Sequence, residues 1–336
     1  MSRRTDLEEI TVGGTNTRPE SGTEHTDEIN KIVQEQMKLK AENRTKRILL
    51  IKAIGGELLC TTLFIFIVCA TSYNYKRQAN HYTSEPLIGA VATGFCSVAL
   101  IYSFADVSGA NFNPAVTFAT FVTGKINALK CVMYIIAQMS GAVMASILLL
   151  ITFPGNTVVK DVVAHRSSDT SIWEALVMEA ILTYILVYVI FATAFDKIEK
   201  KDFSNDVKVD FDEDEMEAAA TTGSVKSKTV RPKLTVYTTS GDSKGGFAPI
   251  AIGFTLGFLV FIGGTVSGGC FNPARAFGPA LVAWDWGDQW IYWLADFFGA
   301  FLAGYTQMIF AHNNPDPLVL IRPVIEYIQK RRTGQF

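Results

Sequence analysis

The strings VSGANFNPAVTF (residues 107–118) and VSGGCFNPARAF (residues 266–277) are nearly identical, and one lies in each half of the chain. Asn is a favoured helix N-cap and Pro a favoured first helical residue, so each string predicts a helix that begins directly after Asn113 or Asn272. The apolar segments that follow are too short to cross a bilayer alone, because a spanning helix needs about 20 residues. Each string therefore predicts a half-helix.

Six longer apolar runs surround these strings, and each is long enough to span a bilayer. They lie near residues 48–72, 87–104, 128–153, 171–195, 248–266 and 288–311. An E-x-x-x-T pattern also recurs, at Glu57 in the first run and at Glu179 in the fourth. Three runs per repeat make the two copies opposite in membrane direction. The predicted fold class is an all-α membrane protein with six transmembrane helices plus two re-entrant half-helices in an inverted repeat.

Basic residues predict the orientation of these runs, because cytoplasmic loops carry an excess of Lys and Arg. They cluster before the first run, between the second and third, after the fourth and at the end of the chain: Arg44, Lys46, Arg47, Lys125, Lys130, Lys197, Lys200, Lys201, Lys330, Arg331 and Arg332. This bias predicts an integral, multi-pass protein with both termini in the cytoplasm.

Composition excludes several classes of function. Charged residues make up 18% of the chain, below the roughly 25% of soluble domains. The five cysteines show no C-x-x-C spacing, and all four histidines lie outside the apolar runs, so neither a disulfide framework nor a metal site is expected. No nucleophile–base pair or phosphate loop appears, and no basic aromatic surface suits nucleic acid. We therefore expect no enzyme activity, no cofactor and no nucleic-acid partner.

The two half-helices predict a path for neutral solutes. If they enter from opposite faces, their N-termini meet near the middle of the bilayer, and the partial positive charges there repel cations and protons. The amides of Asn113 and Asn272 then face the same spot and offer hydrogen bonds to a passing solute. Irregular backbone at that depth is tolerated where it is buried or lines a wet cavity.

These motifs resemble the aquaporin, or major intrinsic protein, family over about residues 48–311. The resemblance rests on the repeated E-x-x-x-T, on an arginine directly after the second Asn-Pro-Ala box, and on the paired boxes themselves, Asn113–Pro114–Ala115 and Asn272–Pro273–Ala274. It implies a right-handed bundle and a homotetramer with one pore per subunit. The membrane is then the plasma membrane, an intracellular vesicle membrane, or both.

The resemblance also implies roles for individual residues. The family's selectivity filter falls on four positions: Thr93, Val260, Gly269 and Arg275. Water-selective members usually have Phe and His at the first two, so this filter is expected to be wider. Ala276 instead resembles the water class, since glycerol-conducting members have Asp there. The resemblance further implies that the buried acids Glu57 and Glu179 brace the re-entrant loops. Asp296 departs from the family, and its position predicts contact with protein or headgroups.

The predicted domains are a cytoplasmic N-terminal tail (1–46), a channel domain (47–311) and a cytoplasmic C-terminal tail (312–336). Within the channel domain, residues 196–247 form an extended cytoplasmic connection between the fourth and fifth runs, far longer than usual. Its acidic first part and its basic second part, which is rich in Ser and Thr, suggest a gate over the pore; the alternative is that it has no role. The first candidate phosphorylation sites are Ser224, Ser227 and Thr229.

The sequence therefore predicts a membrane channel for passive water transport, with a gate in the long connection. Its partners are water, small uncharged solutes and the lipid membrane. One alternative is a channel for glycerol, urea, ammonia or peroxide. Another is a membrane scaffold or adhesion protein with a closed pore. Ion conduction conflicts with Arg275 and with the facing helix dipoles.

Overall fold

The computed structural model describes residues 21–77, 85–195 and 241–311, and regular structure within them is helical. The helices are α1 (Ser21–Arg77), α2 (Glu85–Ser108), α3 (Pro114–Val122), α4 (Ala128–Thr152), α5 (Ile172–Ile190), α6 (Gly241–Gly263), α7 (Pro273–Ala283) and α8 (Gln289–Ala311). A 3-10 turn, Lys160–Val162, lies between α4 and α5, and a π-helical turn, Phe191–Phe195, extends α5. The described residues divide into two compact units, one up to Ile51 and one from Lys52 onward.

The predicted class of an all-α membrane protein is confirmed. Helices α3 and α7, with 9 and 11 residues, are the two half-helices. By length and composition, five of the described helices suit a membrane crossing: α1, α2, α4, α5 and α6. Helix α8 is equally long, with 23 residues, and its hydropathy is reduced by Gln289, Asp296 and its Trp and Tyr side chains.

Helix α1 is longer than the predicted run, which began near residue 48. It starts at Ser21, because residues 23–54 contain neither glycine nor proline and are rich in Glu, Gln and Lys, which favour helix. The long connection between α5 and α6 is shorter than the predicted range 196–247, because α6 already begins at Gly241. Residues 196–240, including Ser224, Ser227 and Thr229, lie outside the described residues, as does the tail 312–336.

Local capping fixes two of the helix starts. Ser171 precedes α5 and forms a capping box with Glu174, in which each side chain bonds the other residue's backbone N–H. Asn127 precedes α4, and its side chain accepts a 2.8 Å hydrogen bond from the Lys130 N–H. These caps end the connecting segments at defined residues.

The two halves repeat the same close helix packing. Gly141 of α4 lies against the backbone carbonyl of Leu58 on α1, and Gly299 of α8 lies against the carbonyl of Ala180 on α5. At either glycine an added Cβ would collide with that oxygen. The inverted repeat seen in the sequence is therefore also a repeat of helix contacts.

The apolar side chains divide between a buried core and an exposed outer surface. The core surrounds the starts of both half-helices and includes Phe112, Ala115, Phe271 and Ala274. Large apolar side chains also point outward from the unit 52–336, among them Leu59, Phe95, Ile151, Trp173, Phe258 and Phe310. An exposed apolar surface of this kind suits contact with lipid.

Candidate functional site

The site is built on the N-terminal ends of the two half-helices. Asn113 caps α3, where its Oδ1 accepts a 2.9 Å hydrogen bond from the Ala115 N–H. Asn272 caps α7 in the same way and accepts a 3.0 Å bond from the Ala274 N–H. Both asparagines have extended backbone, with φ of −151° and −153°, as N-cap residues do. The two Asn-Pro-Ala boxes thus adopt the same local structure.

Reciprocal hydrogen bonds join the two boxes. The Asn113 Nδ2 donates to the Phe271 carbonyl at 2.8 Å, and the Asn272 Nδ2 donates to the Phe112 carbonyl at 3.0 Å. The structure therefore brings together the two asparagines predicted from opposite halves, with the N-termini of α3 and α7 adjacent. An amide NH₂ group has two hydrogens, and this bond occupies one of them. The second hydrogen takes no part in this bond.

The residues just before each asparagine have strained backbone. Phe112 and Phe271 have φ of 35° and 34°, in the left-handed region that side chains other than glycine rarely adopt. This conformation turns each carbonyl towards the other box, where it accepts the asparagine bond. Strain of this size, about 1–3 kcal/mol per residue, persists only where the surroundings hold the backbone in place.

Two buried acids hold these strained segments. Glu57 on α1 accepts from the backbone N–H of Asn111 at 3.0 Å and of Phe112 at 2.8 Å. Glu179 on α5 accepts from the N–H of Cys270 at 2.9 Å and of Phe271 at 2.6 Å. Each carboxylate thereby satisfies two backbone donors that the chain reversal leaves without helical partners. Glu57 therefore contacts the loop of the first box and Glu179 the loop of the second.

Further side chains support the same loops, and the sequence analysis missed them. The Tyr134 hydroxyl donates to the Ser108 carbonyl at 2.6 Å, and the Tyr292 hydroxyl donates to the Ser267 carbonyl at 2.7 Å. Gln138 Nε2 donates to Glu57 Oε2 at 2.8 Å. A second repeat could have revealed them: residues 134–142 read YIIAQMSGA and residues 292–300 read YWLADFFGA, with Tyr, Ala, Gly and Ala in common.

Arg275 is the third residue of α7 and is hydrogen-bonded to the connection between α4 and α5. Its Nη1 donates to the Val162 carbonyl at 3.1 Å, while its backbone N–H bonds Asn272 Oδ1 at 3.4 Å. The side chain is half-buried. This contact fixes one face of the guanidinium and leaves further N–H donors for other acceptors.

The other three predicted filter residues lie on neighbouring elements. Thr93 is buried on α2 and Val260 is half-buried on α6. The two helices pack closely, because Gly94 approaches Gly257, one turn before Val260. Gly269, with φ of 56°, lies against the backbone at the end of α6. The α2–α6 packing and the second box thus place the four residues on adjoining parts of the molecule.

A cavity of about 190 Å³ reaches both asparagines. Its wall is mainly apolar and comes from α2, α3, α5, α6 and the first box. Asn113 and Asn272 line it, as do Ala194 and Phe195 from the π-helical turn and Ala248 and Pro249 from α6. The two helix ends that border the long connection therefore line this cavity.

A charged cluster lies beside the second box. His165 Nε2 is 3.3 Å from Asp285 Oδ2, and its Nδ1 is 3.7 Å from an Asp288 oxygen. Arg166 Nε is 3.5 Å from Asp288 Oδ1, and the His165 backbone lies against Gly268. Across residues 21–77, 85–195 and 241–311, no group of three His, Cys, Asp or Glu side chains is arranged to hold a metal ion.

Comparisons with known proteins agree with this geometry. The family model described as Major intrinsic protein matches residues 44–207 and 230–307. Aquaporin-B of Dictyostelium discoideum is 52% identical over 278 residues, which cover 81% of this chain and 87% of that protein. Aquaporin TIP1-1 of Zea mays is 31% identical over 269 residues, covering 79% of this chain and 89% of its own.

A solved structure shares the fold. The aquaglyceroporin from Plasmodium falciparum superposes with a TM-score of 0.56 and covers 80% of this chain and 98% of its own. Because the sequence identity is only 19%, this similarity supports a shared fold and nothing more.

Proposed function

This chain belongs to the major intrinsic protein family, whose aquaporin members are membrane channels and not enzymes, and from that premise we propose that it conducts water passively. The observation on which the proposal depends is the reciprocal pair of bonds from Asn113 and Asn272. These bonds hold two amides and two helix N-termini at a cavity with a mainly apolar wall. Water meets donors there, with few competing polar groups along the wall.

Charge at the site favours neutral solutes. The N-terminal ends of α3 and α7 each carry a partial positive charge. Arg275, the third residue of α7, adds a full positive charge. A cation that loses its hydration water finds no compensating negative group among the described residues that line the cavity. A neutral molecule does not meet this electrostatic barrier.

A second candidate function is conduction of other small uncharged solutes. Thr93, Val260 and Gly269 are small or medium-sized, which favours a filter wide enough for glycerol, urea, ammonia or peroxide. Ala276 provides no carboxylate beside Arg275 to accept hydrogen bonds from a polyol. We therefore propose water as the main solute that passes the channel, and flux measurements decide which other small solutes also pass.

The proposed gate is the connection that follows α5. Phe195, which lines the cavity, is the last described residue before that connection. Lys125, from the turn after α3, lies 5.1 Å above the Phe195 ring and 5.4 Å above the Phe191 ring, which ties this end of α5 to the first half. The family match omits residues 208–229. We place closure in this connection, with modification at Ser224, Ser227 or Thr229 as its switch.

The chain is an integral membrane protein. The basic residues support cytoplasmic termini, which would make the Phe195 side of the cavity the cytoplasmic side. The proposal includes a homotetramer with one pore per subunit, in the plasma membrane or a vesicle membrane.

Osmotic shrinkage of proteoliposomes tests the channel. Full-length protein is expected to raise the rate of water efflux above that of protein-free vesicles, as followed by light scattering. Gradients of glycerol and of urea then measure solute breadth by the rate of reswelling. If neither the full chain nor a loop-deleted chain accelerates any of these fluxes, the channel proposal is wrong and a closed-pore scaffold is favoured.

Deletion of residues 206–240 tests the gate. The deletion is expected to raise water permeability per reconstituted protein, because the segment can no longer cover the cavity. Equal permeability of the two forms, at equal protein density, would rule out closure by this segment.

A further inference from the structure

The two box loops differ at the residue two places before the capping asparagine. That residue is Asn111 in the first loop and Cys270 in the second. Asn111 lines the cavity. Cys270 is not one of the described residues that line it, and its Sγ donates instead to the Asn272 carbonyl at 3.3 Å. At this position, therefore, the first loop presents a polar side chain to the cavity and the second loop does not.

Asn111 is held in place through both its backbone and its side chain. Its backbone N–H donates to Glu57 Oε1 at 3.0 Å. Its side-chain Nδ2 donates to Thr117 Oγ1 at 3.2 Å, and Thr117 is fully buried on α3. A side chain whose rotamer is fixed by hydrogen bonds of this kind presents its remaining polar atom in a defined direction.

Thr117 is itself held by a buried neighbour. Its Oγ1 accepts from Gln138 Nε2 at 2.8 Å, and the same nitrogen donates to Glu57 Oε2 at 2.8 Å. A continuous chain of hydrogen bonds therefore leads from Glu57 through Gln138 and Thr117 to Asn111. In the second half Ala276 takes the place of Thr117, so that half has no hydroxyl at the position that orients Asn111 in the first.

The oxygen of the Asn111 amide is the polar atom that remains. An asparagine side chain has an NH₂ donor and a carbonyl acceptor, and the contact with Thr117 uses the donor. Oδ1 accepts no hydrogen bond from the described residues, yet it is not one of the unpaired polar atoms that they shut off from solvent. The residue is 9% exposed. Because Asn111 lines the cavity, this small exposed part places Oδ1 at the cavity surface.

We propose that Asn111 Oδ1 accepts a hydrogen bond from the solute in the cavity and that Thr117 is a positioning residue that orients it. The solutes that fit are small neutral molecules with an O–H or N–H group, above all water. The Asn113 and Asn272 amides line the same cavity, so water can donate to Asn111 and accept from an amide N–H, which offsets the cost of leaving bulk water. The permeability part of the test rests on the proposed channel function, but the water-contact part does not.

Solid-state NMR of the full-length protein in proteoliposomes tests the water contact directly. Asparagine and glutamine are labelled with heavy carbon in the side-chain amide group, and magnetisation is transferred from water protons to these carbons. The Asn111 signal, identified by its loss in Asn111→Leu, is expected to gain intensity at short transfer times. The internal control is Gln138, which belongs to the same hydrogen-bond chain but is fully buried. Its signal, identified by its loss in Gln138→Leu, should gain intensity later.

The order of the two signals decides the contact. Faster transfer to Asn111 than to Gln138 supports the proposal. Equal or slower transfer to Asn111 would overturn it, because its amide would then be as remote from water as the enclosed glutamine.

Water permeability tests what the contact does. Asn111→Leu keeps a side chain of similar size without the acceptor and is expected to lower permeability about fivefold, as the loss of one hydrogen bond would. Parent-like permeability of this variant would overturn the solute-binding role. If the parent itself conducts no water, the channel proposal fails, while the NMR result still decides whether Asn111 contacts water.

Two substitutions of Thr117 test the positioning role. Thr117→Val removes the partner of the Asn111 Nδ2 and is expected to lower both permeability and the rate of water transfer to Asn111, whereas Thr117→Ser keeps the hydroxyl and should restore both. The matched control is Thr120→Val, because Thr120 is also buried on α3 but bonds a backbone carbonyl of its own helix. It should behave like the parent. Equal results for Thr117→Val and Thr117→Ser would overturn the positioning role.

Discussion

The Asn113 amide donates a 2.8 Å hydrogen bond to the carbonyl of Phe271, which belongs to the opposite half of the inverted repeat. The carbonyl is within reach because Phe271 has a φ of 34° and Glu179 holds its N–H at 2.6 Å. Helix cap, strained residue and buried acid thus form one connected unit.

Replacement of either box asparagine by aspartate tests the reciprocal bonds. Asp keeps the capping oxygen but loses the Nδ2 donor and sets a negative charge against a carbonyl. Because losing a buried hydrogen bond costs about 1–3 kcal/mol, we expect Asn113→Asp and Asn272→Asp each to lower water permeability about tenfold in the vesicle assay. The control is Asn127→Asp, at the exposed cap of α4, and it should conduct like the parent. A parent-like rate in both box variants would contradict this account.

The buried acids are expected to dominate the stability of the loops. Glu57→Ala and Glu179→Ala each leave two backbone N–H groups without an acceptor, at a cost of about 1–3 kcal/mol per group. Thermal unfolding of the detergent-solubilised protein should show a Tm lower by several degrees for each. Glu174→Ala removes only part of an exposed capping box and should lower Tm less. A larger effect at Glu174 than at Glu179 would refute the assignment.

Arg275 is expected to exclude cations. Arg275→Val removes the positive charge in the first turn of α7 and frees the Val162 carbonyl, so proton or cation currents should appear under voltage clamp. Arg166→Gln alters the arginine of the charged cluster, which pairs with Asp288, and should leave currents at background. Background currents in Arg275→Val, with normal surface expression, would show that helix dipoles alone suffice for exclusion.

Filling the cavity should block water without unfolding the protein. Ala105 lies on its wall, and Ala105→Trp places a large ring in a space of about 190 Å³. We expect water permeability close to that of protein-free vesicles, with a Tm near that of the parent. Leu150→Trp adds bulk on the exposed outer face of α4 and should conduct normally. Unreduced flux through Ala105→Trp would place the conducting path elsewhere.

The architecture could be predicted because its signals are local or repeated. Asn-Pro acts within a single helical turn, so the starts of α3 and α7 at residues 114 and 273 follow from the dipeptide. The number of apolar runs predicts the number of membrane crossings, and the duplicated strings predict the inverted repeat. Helix α1 is longer than the predicted apolar run because apolar length marks only the membrane segment, whereas residues 23–54 contain no Gly or Pro to end the helix.

The partners of the buried polar groups depend on contacts between residues far apart in the chain. Arg275 and Val162 meet across 113 positions, as do Thr183 and Asp296, and nothing near either residue in the sequence identifies the other. From the sequence, Asp296 is only an unexplained acid in an apolar run. Packing of α8 against α5 buries it and gives its carboxylate the Thr183 hydroxyl as a hydrogen-bond donor. Local sequence patterns determine where the helices begin. Helix packing determines which buried polar side chains form hydrogen bonds with one another.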